Sequence, residues 1–235
     1  MIDRIVKFNI ESSKPNWSCR LAWPRTSDFH SENTGSNPVG TTMKNFESRM
    51  ELTGSLFEEE AVGKVDTQNP EYQQALKKAQ EEEAKEGMKS GYVRFRKALE
   101  LARKFQPADP ANPNKYFGRD LRIALQDLLS LKTETEMDRV KFYTASGTPL
   151  DTFHGVDAFL EYEDERKQTH RATFDFTANP HKQVYKSDIM VLKNELPDPD
   201  LESQKYLKKI EEYAKEVFSK ITAEEKPEEE TALKS

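Results

Sequence analysis

The sequence predicts an α+β fold: a small mixed, largely antiparallel sheet backed by helices, with a helical hairpin before it and a long helix after it. Three observations carry this. Apolar residues recur at helical spacing in four segments before residue 132 and after 200. Between them the pattern changes to alternation with period two over 155–162 and 169–177. The strand-like segments are separated by short turn-forming or charged stretches rather than by long helices.

Pro70 is suited to open a helix over 70–86, with Tyr72, Ala75, Leu76 and Ala79 at helical spacing and Gly87 as the stop. A second helix is expected over 89–105, with Tyr92, Val93, Phe95, Leu99, Ala102 and Phe105. Together they read as a hairpin over 70–106 with solvated charged faces. Arg94, Arg96, Lys97, Arg103 and Lys104 offer a sharper, nucleic-acid-binding alternative on it. The stretch 107–113 (PADPANP) is a linker of turn formers. The helix predicted over 116–131 carries the stripe Phe117, Leu121, Ala124, Leu125 and Leu128, bordered by Asp120 and Asp127.

Strands are expected over 140–145, 155–162, 169–177 and 189–192. The charged connection 163–168 makes the middle two an antiparallel hairpin, with Val156, Ala158, Leu160, Phe174 and Phe176 on the buried side. Asn179-Pro180 interrupts the chain before the fourth strand. A last helix over 201–221 presents Tyr206, Leu207, Ile210, Tyr213, Ala214, Val217 and Phe218, so the α/β core runs over 116–221. The acidic tail 222–235 and the arm 43–69, with its Glu58-Glu59-Glu60 run, read as flexible.

The chain has 235 residues and a formal net charge of −6, which argues against binding nucleic acid by bulk charge alone but leaves room for an acidic metal site. The single cysteine, Cys19, excludes an intramolecular disulfide. No apolar run is long enough to span a bilayer and no secretory signal is legible, so a cytoplasmic protein with no membrane partner is expected.

Residues 1–42 lack any sustained period. Thr34-Gly35-Ser36-Asn37-Pro38-Val39 back-translates to a stem, loop and complementary stem. Ser27-Asp28-Phe29-His30-Ser31-Glu32 gives a second stem whose loop centres on TTC, and Trp17-Ser18-Cys19 can pair with Thr41-Thr42 as a third. This order resembles a transfer-RNA gene read as protein. The resemblance implies that the protein proper begins near Met43 and that a chain starting there melts like the full one.

The order of elements after residue 116 places Asp157 on the second strand and Asp175 on the third. An acid inside a strand is disfavoured, and two on adjacent strands repel unless a cation or base intervenes. The arrangement over residues 116–192 resembles the core of PD-(D/E)XK nucleases. The resemblance implies that Asp157 and Asp175 bind Mg²⁺, and that the chain acts on nucleic acid as a metal-dependent phosphodiesterase or endonuclease. The family's lysine two residues after the third-strand acid is Thr177 here, so Lys182 or Lys186 would have to supply the amine. A first-helix acid of the family would fall to Asp120 or Asp127. His154 and His170 are further candidate ligands without a fixed spacing. The competing reading is a non-enzymatic interaction protein that binds an unknown protein partner through the hairpin and the last helix. In it Asp151 and Gly155 only shape a turn, and Asp157 and Asp175 pair with Arg171 or Lys182.

Overall fold

Contacts divide the chain into two units, Met1–Thr42 and Met43–Ser235. The computed structural model describes residues 54–182 and 184–223, all in the second unit. The transfer-RNA-like leader, the first part of the arm and most of the acidic tail lie outside the described residues. Among the described residues are seven helices and one four-stranded sheet.

The first helix is a correction to the expected flexible arm. Gly54–Ala61 is α1, and Phe57 and Ala61 are buried. Phe57 packs its ring against Phe176, with centroids 5.8 Å apart. Val62 and Val65 after it are buried as well. Two apolar anchors one turn apart are too few to show a period, which is why the arm reads as irregular.

Helix α2 (Pro70–Lys85) starts on Asn69, whose side chain accepts from the Glu71 N–H. It ends at Gly87, in the left-handed region at φ 81°. Helix α3 (Phe95–Lys104) is shorter than its apolar spacing predicts. Residues 89–94 form a loop turning on Gly91, also at φ 81°, and Tyr92 and Val93 belong to that loop. The hairpin is fastened by fully buried Glu83, which meets Arg94 Nε at 3.0 Å and Lys97 Nζ at 3.2 Å.

Helix α4 (Tyr116–Leu128) ends a turn earlier than expected. A short α5 (Glu134–Met137), closed by a Thr133 and Glu136 capping box, leads into β1 (Val140–Thr144). Helix α6 (Pro149–His154) occupies what the sequence suggests is only a turn. Thr148 caps it, and Gly155 at φ 64° releases the chain toward β2 (Ala158–Glu163). The strands β3 (Thr169–Thr177) and β4 (Ile189–Leu192) and the long helix α7 (Ser203–Thr222) complete the fold.

The sheet runs in the order β1-β2-β3-β4. β1 with β2 and β2 with β3 are antiparallel, and β4 joins β3 in parallel. Asp188 fixes that last pairing: its Oδ2 accepts both the N–H and the hydroxyl of Thr173. The outer edge of β1 is also occupied. Gln106 gives and takes a hydrogen bond with the Thr144 backbone, the Phe142 N–H donates to the Pro110 carbonyl at 2.9 Å, and Arg122 donates to the Val140 carbonyl.

One face of the sheet carries Phe142, Leu160, Phe174 and Phe176, all buried. The Phe117 ring from α4 stands edge-on to three of these aromatics and to Tyr213 of α7. The opposite face is covered too, contrary to the expected alternation. Phe159 is fully buried and stacks on Tyr143 with centroids 4.8 Å apart. Val156, expected beside Ala158 and Leu160, packs instead in the cluster of Phe159, Leu99, Ala102 and Leu150. The left-handed Gly155 shifts the phase of the chain just before β2.

Candidate metal centre

The β2–β3 register pairs Ala158 with Phe174. Asp157 is the residue just before β2, not on the second strand as the sequence suggests; it precedes Ala158, whose partner Phe174 is the neighbour of Asp175 on β3. The Asp157 N–H donates to the Phe174 carbonyl. Its carboxylate Oδ2 accepts from the Phe176 N–H at 2.6 Å. Both acids are almost wholly enclosed, Asp157 4 % and Asp175 3 % exposed.

Two further carboxylates converge on Asp157. Asp151, in the first turn of α6, accepts from the Gly147 N–H at 2.8 Å. Glu58 of α1 accepts from the Ser146 hydroxyl at 3.3 Å. One ligand oxygen from each of Glu58, Asp151 and Asp157 lies within 4.8 Å of the others. The segment that follows β3 brings Lys182 Nζ to 2.5 Å from Asp175 Oδ2.

The electrostatics follow from burial and crowding. Burial, then the charges of Glu58, Asp151 and Asp175, push the Asp157 carboxyl up to about 8 against the opposing Phe176 N–H. Glu58 is raised by burial first and by Asp151 next, with Asp175 adding to it, while the Ser146 hydroxyl and Lys182 pull it down. Metal-free, the cluster relieves its repulsion by holding a proton.

No family model, no curated protein and no solved structure matches this chain.

The sequence expectations divide as follows. Asp157, Asp175 and Lys182 come together. Asp175, however, is engaged by Lys182, and the convergent oxygens belong to Asp157, Asp151 and Glu58. Lys186 donates to the Phe153 carbonyl instead, at 3.2 Å. Thr177 is buried and accepts from the Asn179 N–H. Asp120 belongs to another part of the core, where it accepts from the Tyr206 hydroxyl and from Arg119. Asp127 is exposed. His154 is bonded to the Val93 carbonyl and His170 to Asp164, so neither joins the cluster. Arg171 pairs with Glu161 rather than with Asp157 or Asp175. The residues that sequence reasoning missed are Glu58 and, as a ligand, Asp151. The signal for Glu58 was its place between Phe57 and Ala61, the two buried residues of α1.

Hard divalent cations take oxygen ligands, and Mg²⁺ binds through a few carboxylates while keeping several waters. Three convergent carboxylates suit such an ion, which would have to displace the proton that the raised pKa of Asp157 keeps there. The buried backbone N–H on Asp157 fixes one carboxylate orientation.

Proposed function

We propose that this protein hydrolyses phosphodiester bonds in nucleic acid with Mg²⁺ held by Asp157, Asp151 and Glu58. The observation that supports the reading is the meeting of these three acids, from α1, α6 and the bend before β2, near the Asp175–Lys182 pair. A bound Mg²⁺ would lower the pKa of a coordinated water and offset charge on the phosphate. The remaining roles belong to the chain. Asp175 holds Lys182 in place, and among the described residues the ammonium is the one cation ion-paired with an acid of this group. It neutralises a phosphate oxygen drawn toward carboxylates that would otherwise repel it. The Phe176 N–H keeps Asp157 oriented, and the Gly147 N–H does the same for Asp151.

The test is Mg²⁺-dependent cleavage of labelled DNA and RNA by the full chain. Asp157→Asn should remove cleavage, and Lys182→Ala should lower kcat about a hundredfold or more, as loss of an electrostatic stabiliser does elsewhere. Cleavage that persists in Asp157→Asn, or is absent from the wild type on both substrates, refutes the reading. The acid group would then be a structural charge cluster, and the helices the place to look for a protein partner.

A further inference from the structure

Beside the acid group lies an aromatic surface with no role in the chemistry above. The Phe95 ring, 38 % exposed at the start of α3, stands at 88° to the His154 imidazole with centroids 5.4 Å apart. Tyr92 meets Phe153 at 5.4 Å and His154 at 5.8 Å. Tyr92, Phe153 and His154 are half-buried, and Phe95 at their margin is exposed.

Two elements join this surface to the acids. Helix α6 carries Asp151 in the cluster and Phe153 and His154 in the aromatic group, about 3 Å of helix rise further on. The segment after β3 touches both as well, with Lys182 on Asp175 and Lys186 on the Phe153 carbonyl. Tyr185, next to Lys186, is 45 % exposed.

The two segments that carry the exposed rings are basic in sequence. Residues 88–97 contain Lys89, Arg94, Arg96 and Lys97 and no acid; residues 178–187 contain His181, Lys182 and Lys186 and no acid. In space Arg94, Arg96 and Lys97 are matched by Glu82, Glu83, Glu86 and Glu100, and Lys182 by Asp175. Lys89 and Lys186 have no carboxylate partner among the described residues.

We infer that Tyr92, Phe95, Phe153, His154 and Tyr185 form a stacking platform for an unpaired stretch of nucleic acid, flanked by Lys89 and Lys186 and leading into the acid group. Open ring faces take bases whatever their sequence, and the lysines follow the backbone. A duplex hides its base faces and gains nothing from the rings. The inference rests on the phosphodiesterase reading and adds the substrate class: single-stranded nucleic acid, or an unpaired end.

The experiment is fluorescence anisotropy of a dye-labelled short oligothymidine, and of a duplex of equal length, with the full chain in magnesium-free buffer, where Mg²⁺-dependent hydrolysis does not run. The single strand should bind more tightly than the duplex. Phe95→Ala and Tyr185→Ala, both at exposed positions that folding tolerates, should each weaken it about 5- to 150-fold. Circular dichroism checks that both variants are folded. Unchanged affinity in both folded variants, tighter binding of the duplex, or no binding of either probe overturns the platform; the last outcome assigns the patch to a protein. Single-strand binding that falls in the two variants, with no hydrolysis in Mg²⁺, supports the platform and refutes only the catalytic reading.

Discussion

Asp157 keeps one oxygen on the Phe176 N–H and turns its charge toward Glu58 and Asp151. Its folded pKa of about 8 lies above the ordinary 3.8, so the folded chain binds this proton more tightly than the unfolded one. The stabilisation is therefore complete below about pH 4 and is lost as pH rises toward 8, by an amount on the order of a few kcal/mol. Asparagine keeps the acceptor for Phe176 and removes the charge. Metal-free Asp157→Asn should consequently melt several degrees above the wild type at pH 8, with the gap closing at pH 5. Thermal melts in a chelator at the two pH values measure this, and a variant that melts lower at pH 8 contradicts it. The same substitution should abolish cleavage, so activity and stability move in opposite directions at this one residue.

Helix α1 shows how an element too short to stand alone is held by its docking. Eight residues cannot sustain a helix in water, and Phe57 against Phe176 supplies the docking. Phe57→Ala should cost about 3–5 kcal/mol if the helix stays in place. Release of the helix would withdraw Glu58 and weaken Mg²⁺ affinity, which calorimetric titration would register. Gly118 of α4 tests the same face of the sheet, against β1. A Cβ there would come within 2.5 Å of the Phe142 ring. Alanine favours a helix over glycine by about 1 kcal/mol, but overpacking of this kind costs about 1–3 kcal/mol or more. Gly118→Ala should therefore lower the denaturation midpoint; a rise would mean that the ring yields freely.

Over the whole molecule, the strands and the long helices were legible because each repeats its pattern several times. The β2–β3 hairpin follows from alternation on both sides of a charged turn, and Asp157 and Asp175 are conspicuous in it for breaking the apolar phase. What was not legible depends on contacts across long separations. Glu58 lies almost a hundred residues from Asp157, and α6 is six residues long with no period to read. Phe159 lies on the side opposite the expected buried set, a side covered by α3, remote in sequence, and by α6, too short to be read. If the assembled acids bind Mg²⁺, the ion should stabilise the fold as a whole. At ten times Kd the gain is about 1.4 kcal/mol, or roughly 3–6 °C for a domain of this size. Wild type should show this rise and Asp157→Asn should not.

The brace along β1 bears on how the protein behaves in a crowded solution. An open sheet ends in rows of unpaired peptide groups, which recruit the edges of other molecules into shared sheets. Here Gln106 acts as a side-chain substitute for a fifth strand, and Pro110, unable to donate, supplies only the carbonyl that Phe142 needs. Gln106→Ala would strip two partners from Thr144 at a cost of about 1–3 kcal/mol. It would also expose a template for self-association. Light scattering during slow heating should rise earlier and more steeply with protein concentration in that variant than in the wild type. Gln106 would then act as a safeguard against aggregation, at the same end of β1 that lies beside Asp157, since Thr144 pairs with Ala158.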